Sequence, residues 1–203
     1  MKPQPKEPHY NDGGLIVPRL ESQRILLRAF TQGDIALCYQ WFNDPNVTHY
    51  MNKGYTVNTE ATQWAFFEKI SESETDLQLA ITDKGNGTLI GTVGLHKIDW
   101  RHRRGDVSIM IGHADYWKQG YASEVIGMLV DYAFSKLNFR KITAGVWSPN
   151  IGCQKAFEKN GFSIEGNLKE QFLCDGEFVS QVCYGLIRAD WNSEKSSQER
   201  DSL

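Results

Sequence analysis

Apolar residues recur along this chain with two alternating spacings, one suited to strands and one to helices. Residues 24–30 carry Leu and Ile on alternating sides and predict a strand. Thr31 and Asp34 follow as a capping signal for a helix that uses Ile35, Cys38, Trp41 and Phe42. A second helix starts at Asn58-Thr59-Glu60 and contains Ala61, Trp64, Phe67 and Ile70. Residues 77–82 and 88–95 read as a hairpin around Asp83-Lys84-Gly85-Asn86-Gly87. Residues 106–112 give the next strand, with Val107, Ile109 and Ile111 on one face. The clearest helix follows, its Ala122, Val125, Ile126, Leu129, Val130, Ala133, Phe134 and Leu137 falling at three- and four-residue steps. Residues 141–147 form a strand, and a short helix through Cys153, Ala156 and Phe157 stops at Asn160-Gly161. Residues 163–172 and 178–189 close the chain as a hairpin. The order β-α-α-β-β-β-α-β-α-β-β is mixed α/β.

Both ends break this pattern. Residues 1–20 and 193–203 are rich in polar, charged, Pro and Gly residues and read as flexible segments around one domain at 21–192. At 203 residues one core is expected, with no internal repeat. The formal net charge of -3 and pI near 6.0 argue against a general affinity for nucleic acid. The local exception, Arg101-His102-Arg103-Arg104, reads as a solvated turn. Cys38, Cys153, Cys174 and Cys183 show neither pairing nor metal spacing, so no metal is expected; with no signal peptide they suit a reducing cytoplasm. No apolar run approaches the roughly 20 residues that span a bilayer.

The most informative stretch is Tyr116-Trp117-Lys118-Gln119-Gly120-Tyr121-Ala122-Ser123-Glu124, where a strand gives way to the long helix. A Gly-containing turn entering a helix aims unpaired backbone N–H groups and the positive end of the helix dipole at one point, an arrangement that binds phosphate. Downstream, Asn150, Cys153, Phe157, Glu158, Lys159, Gly161 and Phe162 form a second motif. Together the two motifs resemble those of the GNAT superfamily of acetyl-coenzyme A-dependent N-acetyltransferases. The resemblance runs over residues 24–191. It is closest to the branch holding ribosomal-protein N-terminal acetyltransferases and bacterial amino-sugar acetyltransferases, on residues 41–47 and on Glu165, Gly166, Leu168 and Lys169.

The resemblance implies a GNAT fold, a mixed sheet of about seven strands flanked by about four helices, with two splayed strands holding acetyl-CoA. It implies that the pyrophosphate lies on the backbone of Lys118, Gln119, Gly120, Tyr121, Ala122 and Ser123. It implies that Met110 and Ile111 line the pantetheine arm and that Asn150 contacts it. A carboxylate stands in relatives at the position of Asp106, and His96 lies at the acceptor side; these two are the candidate bases. Glu170 on the final hairpin is a further carboxylate candidate. Many relatives carry a Tyr acid where this chain has Phe157, which cannot donate a proton; Ser148 and Cys153 are the nearby hydroxyl and thiol. The acceptor is expected to be a small-molecule amine such as a nucleotide-linked amino sugar, with Trp41, Tyr50, Tyr55 and Trp100 as stacking surfaces. A protein N-terminus and a non-catalytic acetyl-CoA sensor are the alternatives. Pairing of terminal hairpins offers a route to a homodimer.

Overall fold

The computed structural model describes residues 17–52 and 58–192. The strands are β1 (Leu20–Glu21), β2 (Ile25–Ala29), β3 (Leu77–Asp83), β4 (Leu89–Asp99), β5 (Arg104–Ile111), β6 (Lys141–Trp147), β7 (Ser163–Cys174) and β8 (Glu177–Ile187). The helices are α1 (Ile35–Phe42), α2 (Pro45–Thr48), α3 (Glu60–Ser71), α4 (Tyr121–Ser135) and α5 (Ile151–Glu158). All eight strands form one sheet in the order β1-β2-β3-β4-β5-β6-β8-β7. Neighbours are antiparallel except β5 and β6, which are parallel.

The sheet separates two apolar layers. On one side the α4 stripe Val125, Ile126, Leu129, Val130, Ala133 and Phe134 packs on Leu27, Leu79, Val93, Leu95 and Val107. Each large side chain sealed this way contributes about 1.5–3 kcal/mol. On the other side α1 lays Cys38 and Trp41 over Ala80, Leu89 and Met110. The face carrying Met110 also carries Asp106 and Ser108, because alternate strand residues point the same way.

Three features differ from the expectation. An eighth strand is present because Leu20 and Glu21 pair with Leu27 and Leu26; two residues are too few to carry a period. The short helix α2 is an element beyond the expected four helices. It forms because Asp44 accepts from the Asn46 N–H at 2.8 Å and Pro45 sits at the first helical position. In α3 the expected apolar side is only half-covered: Trp64 is exposed, while Gln63 is buried and donates to Asn58 Oδ1 at 2.6 Å. The segments 1–16 and 193–203 lie outside the described residues.

One buried ion pair fixes the entry to α1. Arg28 donates two hydrogen bonds to Asp34, at 2.8 and 2.7 Å, and the Thr31 N–H and hydroxyl donate to the same carboxylate. Burial raises the Asp34 carboxyl, but Arg28 and the two Thr31 donors outweigh it and hold it below its ordinary value. A depressed folded-state pKa adds stability above the unfolded value, which is lost as pH falls through the folded one. Arg28→Ala is therefore expected to cost about 2–3 kcal/mol at neutral pH. In urea titrations from pH 7 to 2, the variant should also lose part of the wild-type decline that sets in below about pH 4.

Candidate active site

The site is organised by the parting of β5 and β6. Their registered pairing is Arg104↔Lys141, Gly105↔Ile142 and Asp106↔Thr143, although both strands continue, to Ile111 and to Trp147. Beyond Asp106, β5 keeps its β4 partner on one edge, and its other edge faces a widening slot. Backbone polar groups on such an edge seek an extended partner. Met110 and Ile111 lie on this stretch, the Met110 side chain buried beneath Trp41 and only its backbone free to line the slot. The Thr143 hydroxyl donates to Asp106 Oδ1 at the last paired position, and Lys97 Nζ lies 3.4 Å from Oδ2. Asp106 thus stands where the strands separate.

The slot leads to the start of α4. Gly120 caps the helix at φ +83°, a left-handed conformation natural to glycine, and Lys118 is left-handed as well. These two turns lead the chain into α4, whose first-turn N–H groups have no carbonyl partner within the helix. Trp117 does not face outward; its indole N–H donates to the Ile111 carbonyl at 2.7 Å and ties the loop to the end of β5. The acidic residue in this first turn, Glu124, is neutralised by Arg24, which donates to it at 2.9 and 2.5 Å and lies 4.3 Å over the Tyr121 ring. Ser22 donates to the same carboxylate at 2.6 Å. Burial raises Glu124 and these two partners more than offset it, so it stays ionised and paired. Arg24 comes from β1–β2, and only the folded sheet brings it here. On the other side Asn160 donates to the Ser123 carbonyl at 2.9 Å and joins α5 to α4. Asn150 caps α5, its Oδ1 accepting from the Cys153 N–H at 3.2 Å.

The face of β5 opposite α4 carries the acid–base groups. His96 and Asp106 are direct cross-strand partners. His96 Nε2 lies 2.7 Å from the Ser108 hydroxyl, and Nδ1 lies 3.1 Å from Asp76 Oδ1. Asp76 also accepts from the Lys97 N–H at 3.3 Å and the Ser73 hydroxyl at 2.9 Å. Desolvation raises its carboxyl, and these donors together with His96 outweigh it, keeping Asp76 below the usual range. Glycine at 94 is required: a Cβ there would lie 2.6 Å from His96 Nε2 and 2.6 Å from the Leu77 carbonyl. Beside Asp76 opens a cleft of about 170 Å³, lined by Phe30 and Phe67 and by Glu72, Glu74, Asp76 and Gln78. Sequence reasoning missed Ser108, although it sits two residues after Asp106 on the same strand face. Asp76 left no signal, because the β3–β4 hairpin brings it to His96.

On the leaving-group side Phe157 is buried, 5.0 Å from Phe162 and 6.1 Å from Tyr184. The Tyr184 hydroxyl donates to Glu158 at 2.9 Å. Burial and then Glu158 push its pKa up to about 12. Burial likewise pushes the Cys153 thiol up to about 11. Glu170 lies on the exposed part of β7. At the tip of the last hairpin, His49, Cys174 and Asp175 bring three donor atoms within 4.8 Å of one another. Chain spacing could not reveal that grouping, because its members come from α2 and the last hairpin.

Known proteins share the fold that carries this site. The acetyltransferase (GNAT) domain profile matches residues 24–163. An uncharacterized N-acetyltransferase of Bacillus subtilis, YoaA, is 29% identical over 84% of this chain and 97% of its own. A spermidine N(1)-acetyltransferase of Vibrio cholerae is 27% identical over 77% of this chain and 89% of its own. The crystal structure of spermidine N-acetyltransferase from Vibrio cholerae in complex with CoA and spermine superposes with a TM-score of 0.75. It is 24% identical and covers 84% of this chain and 99% of that one, which establishes a shared fold. The chain belongs to the GNAT acetyltransferase family and is an N-acetyltransferase. A putative ribosomal N-acetyltransferase of Bacillus subtilis, YdaF, is a weaker match, 24% identical over 54% of this chain and 60% of its own.

Gly120 is the position where backbone geometry is most exacting. Gly120→Val is expected to cost about 1–2 kcal/mol through left-handed strain, read as a lower urea midpoint with an unchanged slope.

Proposed function

We propose that the protein transfers an acetyl group from acetyl-CoA to a primary amine of a small polycationic molecule of the polyamine class. The observation that carries this reading is the cleft beside Asp76, whose lining includes Glu72, Glu74 and Asp76 together with Phe30 and Phe67. Carboxylates attract ammonium groups and ring faces stabilise them further. The relatives named for spermidine support the same class. The amino-sugar expectation rested on the branch resemblance, on residues 43–47 and on aromatics, and two of these aromatics are engaged elsewhere. Trp41 covers Met110, and Trp100 packs 5.9 Å from Phe139 while its indole N–H donates to the Glu74 carbonyl. Tyr55 lies outside the described residues. The four free cysteines fit a reducing cytoplasm, and among the described residues no helix is long and apolar enough to cross a membrane.

In this reading the pantetheine arm lies along β5 at Met110 and Ile111 as an added strand partner. The pyrophosphate lies on the N–H groups of Lys118, Gln119, Gly120, Tyr121, Ala122 and Ser123. Asn150 stands at the far wall, near the end of β6. The acceptor enters from the face of His96 and Asp106, loses a proton there, and attacks the thioester directly in a ternary complex. Phe157 supplies no acid and the Tyr184 hydroxyl is held by Glu158. A thiol is acidic enough for the thiolate to depart without a protein donor. Ile164, Leu168, Leu173 and Phe178 are exposed on the last hairpin and offer a surface for a second copy of the chain.

Thiol release from acetyl-CoA should be followed with spermidine, a nucleotide-linked amino sugar and a basic peptide with a free N-terminus. Turnover with spermidine is expected to exceed the other two; turnover confined to the sugar or the peptide would sink the polyamine assignment. Gly120→Val is expected to raise KM for acetyl-CoA about tenfold, equivalent to about 1.4 kcal/mol. A variant with unchanged KM would remove the pyrophosphate from this loop.

A further inference from the structure

We infer that Ser108, His96 and Asp76 form a proton relay that deprotonates the acceptor amine, with Ser108 as the group that touches the substrate. This rests on the proposed acetyl transfer to an amine and identifies how the amine is activated.

The first observation is position. Ser108 is two residues beyond Asp106, on the part of β5 that has left its β6 partner, and its exposed side chain shares the acceptor-side face with Asp106. Its hydroxyl lies on that face, turned toward His96 of β4, on the same exposed surface as Asp106 at the parting of the strands.

The second observation is the direction of the hydrogen bonds. Asp76 is held ionised by the Ser73 hydroxyl, the Lys97 N–H and His96, so it only accepts. His96 Nδ1 faces this carboxylate at 3.1 Å and must carry the ring proton. Nε2 is then left with its lone pair toward the Ser108 hydroxyl, 2.7 Å away. The chain of donors runs one way, from Ser108 through His96 to Asp76, and an imidazole is the side chain suited to taking a proton near neutral pH.

The third observation concerns Asp106, the rival base. Its Oδ1 accepts from Thr143 and its Oδ2 lies 3.4 Å from Lys97 Nζ, so both oxygens already have partners.

The protons balance. An ammonium N–H breaks as the proton passes to Ser108 Oγ while the original Ser108 proton moves to His96 Nε2, giving an imidazolium beside the Asp76 carboxylate. The free lone pair forms the C–N bond at the thioester carbonyl. When the tetrahedral intermediate collapses, the C–S bond breaks and the remaining excess proton on nitrogen goes to the departing thiolate. The imidazolium returns its proton to water. The net products are the amide, the free thiol of coenzyme A and one proton. His96 acts through Ser108 and is a positioning and proton-accepting residue. The charged groups around it are Asp76 ahead of β3, Lys97 on β4, Asp106 on β5, and Glu72 and Glu74 in the cleft.

The test is the pH profile of kcat for wild type, Ser108→Ala, Ser108→Thr, His96→Gln and Asp106→Asn with spermidine, a nucleotide-linked amino sugar and a basic peptide as acceptors. Ser108→Ala is expected to lower kcat about a hundredfold at pH 7, with KM for acetyl-CoA unchanged. The deficit should shrink as pH rises toward about 10, where a free amine needs no deprotonation. His96→Gln should follow the same profile, and Ser108→Thr, which keeps the hydroxyl, should recover most of the rate. A Ser108→Ala rate equal to wild type, or a loss independent of pH, would overturn the relay. So would a larger loss in Asp106→Asn than in Ser108→Ala, or mass-spectrometric detection of an acetyl ester on Ser108. A wild type that acetylates none of the three acceptors overturns the underlying reading instead.

Discussion

The structure depends on the loss of pairing between β5 and β6 beyond Asp106 and Thr143. A parallel pair inside a sheet normally runs on, because each unpaired N–H and C=O inside the protein costs free energy. Here the strands separate after three residue pairs while each stays anchored by its other neighbour, β5 by β4 and β6 by β8. The opening is therefore a rigid slot with walls held by full antiparallel ladders. The Thr143–Asp106 hydrogen bond marks the point of separation. The Trp117 indole bonded to the Ile111 carbonyl fixes the far end.

The rest of the molecule places charge around that slot. On the α4 side the helix begins with a glycine cap, and Arg24 neutralises Glu124, so the positive end of the dipole is not offset by a bare carboxylate. On the α1 side the groups are carboxylates and an imidazole, running from the cleft at Glu72 and Glu74 through Asp76 and His96 to Ser108. One face of the sheet thus suits an anionic cosubstrate and the other a cationic one, with β5 between them. Under the proposed transfer to a cationic amine, this separation keeps the two substrates from competing for the same groups.

Much of this was legible in the chain. The strands β2, β3, β5 and β6 and most of the α4 stripe follow from spacing to within two residues at each end, β3 through a short apolar run buried on both faces. Gly120 and the residues around it announce a helix N-terminus through local chemistry that needs no distant partner. The α3 stripe failed as a guide because Phe67 and Ile70 line a cleft and Trp64 is exposed, so none of them is sealed into a core. The eighth strand was invisible because a two-residue bridge has no period.

The sequence by itself determined the two hairpins, which helix carries the core, and where the glycine turn into that helix begins. These depend on neighbours within a few residues or on alternation along one strand. Only the tertiary structure decided that Asp76 meets His96, that Arg24 meets Glu124, and that Thr143 meets Asp106. Each of these contacts joins residues far apart in the chain, and a polar side chain's partner is fixed by register and sheet order, which periodicity does not encode.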